Sequence, residues 1–182
     1  MKSSMAGRDR RRRFETVVGA FHQDMYRYAL WLCRDRSVAE DVVQEALLRA
    51  WRSLDGLRED TAARSWLLTI VRRENARWFE RQRPETVDVD ALTPAQAAEI
   101  AEAPDEQVRE LRAAIFALED GYREPLVLQV LMGYSTLEIA DLMGLNQGAV
   151  LTRLHRARLK LRDTLGEAEP PGGTAPTAGG MA

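Results

Sequence analysis

With 182 residues, 45% hydrophobic and 30% charged, the chain has room for one domain or two small ones of ordinary soluble composition. Its single cysteine, Cys33, excludes an internal disulfide and a Cys-x-x-Cys metal pair. Nothing approaches the run of about eighteen apolar residues that a membrane-spanning helix needs, so no membrane insertion is expected.

The net charge of −2 conceals three electrostatic blocks. Residues 1–83 hold 18 Lys/Arg against 12 Asp/Glu, residues 84–107 none against 7, and residues 108–182 8 against 9. That pattern predicts two modules joined by an acidic connector, and it leaves nucleic-acid binding open, because such binding depends on local patches. The segment from Lys2 to Arg13 is basic but precedes no signal-type apolar run, so the cytoplasm is the expected compartment.

Residues 1–13 therefore read as a basic arm. Phe14, Val17, Val18, Phe21, Met25, Tyr28, Ala29 and Leu32 follow helical spacing and predict a first helix from about Arg12 to Cys33. Ser37 and Glu40 form a capping-box pattern opening a second helix, whose apolar stripe is Val42 or Val43, Ala46, Leu47, Ala50, Trp51 and Leu54. A polar turn from Asp55 to Asp60 follows. A third helix, from about Thr61 to Gln82, buries Trp66, Leu67, Ile70, Val71 and Trp78.

Residues 84–107, with Pro84, Pro94 and Pro104, read as a flexible acidic linker. Fully extended, it would reach roughly 80 Å. A helix from Asp105, with Val108, Leu111, Ile115 and Leu118 facing inward, begins the second module, and another spans about Asp120 to Met132. Residues 166–182 have the composition of a disordered tail.

Gly133 to Arg162 carries the strongest local signal, a helix-turn-helix. Ser135 and Glu138 make a capping box, Gly144 suits a left-handed C-terminal turn, and Asn146 caps a second helix. Val150, Leu154, Ala157 and Leu161 give that helix its core face. Gly148, Thr152, His155 and Leu159 lie opposite, flanked by Leu151 and Arg156. Arg153, Arg156, Arg158, Lys160 and Arg162 are cationic, with no acid between Asn146 and Arg162. Such a helix suits a DNA major groove, base edges near its start and phosphates near its arginines. The bland alternative is a basic helical hairpin in a bundle.

On the third helix, Arg73, Arg77 and Arg81 fall at i, i+4 and i+8 with Arg72 beside them and Trp78 and Phe79 interleaved. That stripe fits either a phosphate backbone or a solvated face. Glu40, Asp41, Gln44 and Glu45 make an acidic surface on the second helix, fit for a basic partner helix or for solvent. His22 and His155 lie in different modules with no acid or thiol arranged for catalysis. No phosphate-cradling glycine loop or metal-ligand cluster is present, so no enzyme activity, cofactor or metal is expected.

The order of AEDVVQEALLRAW (39–51), RSWLLTIV (64–71) and YREPLVLQVLMGYSTLEIADLMGLNQGAVLTRLHRARLKLR (122–162) resembles the sigma-70 family of bacterial initiation factors, in its small extracytoplasmic-function (ECF) group. The resemblance implies an all-helical fold of two small domains, region 2 at 14–83 and region 4 at 108–165, on a chain that binds core RNA polymerase and directs promoter recognition. It implies that Asp41, Gln44 and Glu45 contact the clamp helices of the β′ subunit, with the β subunit and promoter DNA as further partners. The turn from Asp55 to Ser65 and the helix carrying Arg72, Arg73, Arg77 and Arg81 would open the −10 element and capture a flipped base. Leu151, Thr152, Arg153, His155, Arg156 and Arg158 would engage the −35 element. An anti-sigma factor is implied by the family alone.

Two positions depart from the family pattern. Leu151 stands where Lys or Arg is common, which implies an altered −35 preference. Arg73 stands where Asn often helps form the flipped-base pocket, and Asn75 falls on another helix face. Two competing readings use the same residues: a helix-turn-helix regulator that acts without polymerase, with its N-terminal module as a dimerisation unit, and a helical adaptor that binds no DNA.

Overall fold

The computed structural model describes residues 2–82 and 105–166. Among the described residues every regular element is helical. Most of the expected connector and tail fall outside them.

Helix α1 spans Lys2–Cys33 and α2 Arg36–Ser53, and two one-turn 3-10 helices, Leu54–Gly56 and Asp60–Ala62, lead into α3, Ala63–Gln82. These pack as a three-helix unit around Met25, Tyr28, Ala29, Val42, Ala46, Ala50, Leu67, Leu68 and Val71, all buried. Apolar residues at three- and four-residue spacing line the facing stripes, so burial of those stripes holds the unit together.

Four local readings change. α1 begins ten residues earlier than the apolar pattern indicated, because Arg is a good helix former and the early turns find partners on the 51–60 segment. The cap of α2 is Asp35, whose carboxylate accepts from the Val38 amide, rather than Ser37. Arg34 ends α1 with a positive φ of 59°, which leaves room for Asp35 to cap immediately. α3 starts at Ala63, its expected first turn taken up by the second 3-10 helix.

The second unit comprises α4, Glu106–Ala117, capped by Asp105; α5, Asp120–Val130; α6, Thr136–Met143; and α7, Gln147–Leu165. Pro125 sits in the second turn of α5 and is buried. On α4, Ile115 and Phe116 are buried and Leu118 just beyond it is too, but Val108 and Leu111 are 39% and 42% exposed. The first two turns of α4 therefore extend past the core that its second half helps to close.

The two units are not separate beads. Trp31 of α1 stacks on Phe116 of α4, with centroids 4.2 Å apart and planes 17° from parallel. Arg123 of α5, only 1% exposed, reaches across to the end of α1. Its Nε donates to the Trp31 carbonyl at 3.0 Å and its Nη2 to the Leu32 carbonyl at 3.4 Å and to Asp120 at 2.6 Å. Its Nη1 donates to the Leu118 and Phe116 carbonyls at 2.7 and 3.4 Å. A helix leaves its last carbonyls without internal partners. Arg123 satisfies those of α1 and α4 together, so one guanidinium caps a helix in each unit.

Beside it, Glu124 accepts from Tyr28 Oη at 2.6 Å and from Arg72 Nε at 2.7 Å. Arg64 adds a third crossing. It donates to Asp24 at 2.6 Å and to the Met132 carbonyl at 2.8 Å, with its guanidinium 5.0 Å above the Tyr134 ring.

Burial pushes the Cys33 thiol up to about 12, with the Asp35 charge acting the same way. Burial, then the charge of Glu124, likewise holds the Tyr28 phenol well above its ordinary value. Both groups are favoured in the neutral form by the fold. The Cys33 contribution is complete below the ordinary thiol range and is lost as pH rises from about 9 towards 12, and that of Tyr28 is lost only above the ordinary phenol range. Iodoacetamide at pH 8 is therefore expected to label Cys33 only as fast as the protein unfolds. Labelling at the rate of a free thiol in native buffer would contradict this packing.

Candidate polymerase and promoter interfaces

Residues 135–165 fold as the sequence predicts. Ser135 Oγ accepts from the Glu138 amide at 3.3 Å, and a Glu138 carboxylate oxygen accepts from the Ser135 amide at 2.8 Å. Ser135 Oγ also donates to that carboxylate at 2.6 Å, and this bond, then the one from the Ser135 amide, hold the Glu138 carboxyl below its ordinary range. Gly144 takes the left-handed conformation at φ 66°. There the Leu145 amide bonds back to the Ala140 carbonyl at 2.9 Å and the Gly144 amide to Asp141 at 3.3 Å, which turns the chain in two residues. Asn146 Oδ1 then caps α7 through the Ala149 amide at 2.8 Å. Gln147 Nε2 donates to Thr136 Oγ1 at 2.9 Å, tying the start of α7 to the start of α6.

Caps and turn together fix the rotation of α7. Val150, Leu154 and Ala157 are buried and Leu161 half-buried. Leu151, Thr152, His155, Arg156 and Arg158 are consequently exposed, Leu151 to 52%, and Arg153 is half-buried. Thr152 Oγ1 donates to the Gly148 carbonyl at 2.9 Å, so its outward lone pairs remain for an incoming donor. Arg158 is held by Gln129 at 2.6 Å. Lys160 pairs with Glu119 at 2.9 Å and lies 5.4 Å from the Tyr122 ring centroid, which commits that cation to the fold.

On α2, Asp41, Gln44 and Glu45 are exposed side by side, because Val42, Val43 and Ala46 claim the opposite face. Helical geometry puts the three polar groups on one surface a single turn long.

The α3 stripe is more divided than its spacing suggests. Arg73 and Arg81 are exposed. Arg77 donates to Glu74 at 2.5 Å, and Arg49 of α2 donates to the same oxygen at 3.2 Å. Glu74 is only 2% exposed and serves as an internal counter-ion between helices. Arg72 points to Glu124 of the second unit. Asn75 faces inward, where Oδ1 accepts from the Cys33 thiol at 3.1 Å. Trp78 packs partly into the core edge-on to Phe79, centroids 5.1 Å apart.

Sequence reading gave Tyr28 only a core role and passed over Glu74, Arg123 and Glu124. For the last two a faint signal existed, a charge pair set directly before the apolar run PLVLQV. Its partners lie about ninety residues away, beyond any local pattern.

A chain whose described residues are all helical and present a capped helix-turn-helix beside a three-helix unit with an acidic face falls in the helix-turn-helix class of proteins. Residues 17–85 match the family model for Sigma-70 region 2, and residues 108–161 match that for Sigma-70, region 4. The chain belongs to the sigma-70 family of RNA polymerase sigma factors, in its ECF group, and directs promoter recognition in transcription initiation.

It is 37% identical over 150 residues to the ECF RNA polymerase sigma factor SigL of Mycobacterium tuberculosis, covering 79% of this chain and 83% of that protein. It is 28% identical over 162 residues to the ECF RNA polymerase sigma factor SigX of Bacillus subtilis, covering 82% and 81%. A match of 36% over 157 residues to the "Probable RNA polymerase sigma factor RfaY" of Xanthomonas campestris takes in 82% of this chain but only 39% of that longer protein.

Among solved structures, CnrH in complex with the cytosolic domain of CnrY is 28% identical at a TM-score of 0.63, over 85% of this chain and 88% of that one. The sigma factor RpoE in complex with the anti-sigma factor NepR from Bartonella quintana, 24% identical with a TM-score of 0.64, covers 84% of this chain and 96% of that chain and shares the fold. No helix among the described residues is long and apolar enough to cross a membrane.

Proposed function

We propose that this chain docks on core polymerase through Asp41, Gln44 and Glu45 against the clamp helices of the β′ subunit, with its second unit against the β subunit. The turn Asp55 to Ser65 and α3 open the −10 element, and Leu151, Thr152, Arg153, His155, Arg156 and Arg158 of α7 engage the −35 element. The chain performs no chemistry itself, acts in the cytoplasm, and is restrained by an anti-sigma factor. The anti-sigma factor NepR in complex with the sigma factor RpoE of Bartonella quintana, a chain of the same fold, supports that last element.

The observation that carries this reading is the rotation of α7, which exposes Leu151, Thr152, His155 and Arg156 together on a helix with no acid between Asn146 and Arg162. Neither unit alone needs to hold DNA tightly, because tethering both to one polymerase raises the effective concentration of the second contact. Arg72 already gives its Nε to Glu124, whose carboxylate offsets the charge that Arg72 would present to a phosphate, whereas Arg73 and Arg81 are exposed on the same helix.

Transcription from a promoter library with purified core tests the reading. Association with core and run-off product from a subset of promoters are expected. DNA binding without core, as a dimer on a palindrome, would overturn it in favour of an ordinary regulator. Leu151→Arg is expected to change which −35 sequences are used, since a bidentate guanine contact discriminates by about 1–3 kcal/mol. Unchanged promoter choice would mean that α7 faces DNA by another surface.

A further inference from the structure

The basic start of α1 has no core of its own to cover, yet it is helical and seated. Arg10, Arg13 and Phe14 fall at i, i+3 and i+4, one stripe of the helix, and all three meet the segment 51–60. Arg13 forks. Its Nη2 donates to the Leu57 carbonyl at 2.7 Å, and its Nη2 and Nε both reach Asp60 Oδ1, at 2.8 and 3.0 Å. Arg10 Nη2 donates to the Trp51 carbonyl at 2.7 Å, its Nε lies 3.4 Å from Asp55, and its guanidinium sits 4.8 Å from the Trp51 ring centroid. Phe14 closes edge-on against Trp51, centroids 5.1 Å apart.

Electrostatics make this arrangement selective. Four consecutive arginines, Arg10 to Arg13, crowd like charges onto one stretch of α1 and repel one another. The neighbouring turn supplies Asp55, Glu59 and Asp60, the only acids in its stretch. Each charge set lowers the cost of the other. The turn itself is two single-turn 3-10 pieces, whose own hydrogen bonds are too few to hold a shape, and only Leu54 and Leu57 anchor it in the core.

We infer that Arg10 and Arg13 are positioning residues for promoter opening: the basic start of α1 splints the 55–62 turn and offsets the charges of Asp55 and Asp60 so that a DNA strand can approach. The inference rests on the proposal that this turn works on the −10 element. The arginines act through the turn rather than on DNA, since their guanidiniums are spent on Leu57, Asp60 and Trp51.

The test uses holoenzyme assembled from purified core and full-length chain, with 2-aminopurine in the −10 element reporting strand opening. Arg13→Glu is expected to lower opening at least ten-fold, with core affinity changed less than two-fold. Arg13→Glu combined with Asp60→Arg is expected to recover most of the loss, because the pair is rebuilt with its charges exchanged. Opening that persists in Arg13→Glu would overturn the inference, as would a double variant no better than the single one. A parallel loss of core affinity would overturn it too, by showing an effect on folding or docking. Replacing residues 55–62 with an equal length of Gly and Ser separates the two levels. If that chain opens promoters normally, the −10 reading itself fails. If it does not, while Arg13→Glu does, only the splint fails.

Discussion

Arg123→Lys is expected to cost about 2–4 kcal/mol although the charge is kept, because an ammonium has three donors on one point and the guanidinium here uses all five in a plane. The carbonyls of Trp31, Leu32, Phe116 and Leu118 would then compete for one Nζ. Buried acceptors left without partners are penalised by about 1–3 kcal/mol each at most. Arg123→Ala is expected to cost more, about 3–5 kcal/mol, since it strips both helix ends and opens a cavity. For a chain of this size the alanine variant should melt on the order of 10 °C lower.

Burial, then the neighbouring Arg34 charge, lowers the Arg123 pKa, so Asp120 and the ring of carbonyls are what keep the group inside. Thermal denaturation followed by circular dichroism decides the matter. A lysine variant melting within a degree of the parent would mean that the crossing between the units contributes little. Glu124→Gln should be milder, about 1 kcal/mol, because its amide oxygen still accepts from Tyr28 and the half-exposed Arg72 can turn to water.

The second large effect concerns docking rather than stability. Asp41→Ala with Gln44→Ala is expected to weaken core binding about ten- to a hundred-fold, the range lost when a central charged or hydrogen-bonded interface group worth about 1.4–2.8 kcal/mol is cut away. Both side chains are exposed and the apolar residues beneath them are untouched. The melting temperature should accordingly stay within the effect of about 0.5 kcal/mol typical of surface changes. That separation makes the experiment informative. Competition for core between variant and parent chains, measured beside their melting curves, gives both quantities. Unchanged affinity would remove the acidic face of α2 from the docking surface.

Much of this protein is written in short-range terms. The helix-turn-helix is legible because each of its devices acts within five residues: the Ser135–Glu138 box, the left-handed Gly144, the Asn146 cap and the four-three-four spacing of Val150, Leu154, Ala157 and Leu161. The acidic surface of α2 is legible for the same reason, since its apolar stripe dictates which side faces water. Where several local patterns compete, the reading slips. Asp35 and Ser37 both suit a cap, and only the φ of Arg34 decides between them.

The arginines of α3 show the limit more sharply. Their spacing marks a common stripe, but what each one does depends on carboxylates elsewhere. Glu74, one turn back on α3 itself, holds Arg77 and shares the same oxygen with Arg49 of α2, whereas Glu124 claims Arg72 from another unit altogether.

What the sequence by itself determined was therefore the helices, most of their caps, the facing of α2 and α7 and the membership of the chain in its family. Each of these follows from periodicity and from hydrogen bonds that close within a turn. Only the tertiary structure decided that the basic start of α1 is a seated helix, that Arg123 caps two helices in different units, and that Glu124 claims Arg72 of α3. Those outcomes depend on which desolvated charge finds which partner across long stretches of chain, and no local pattern encodes that choice.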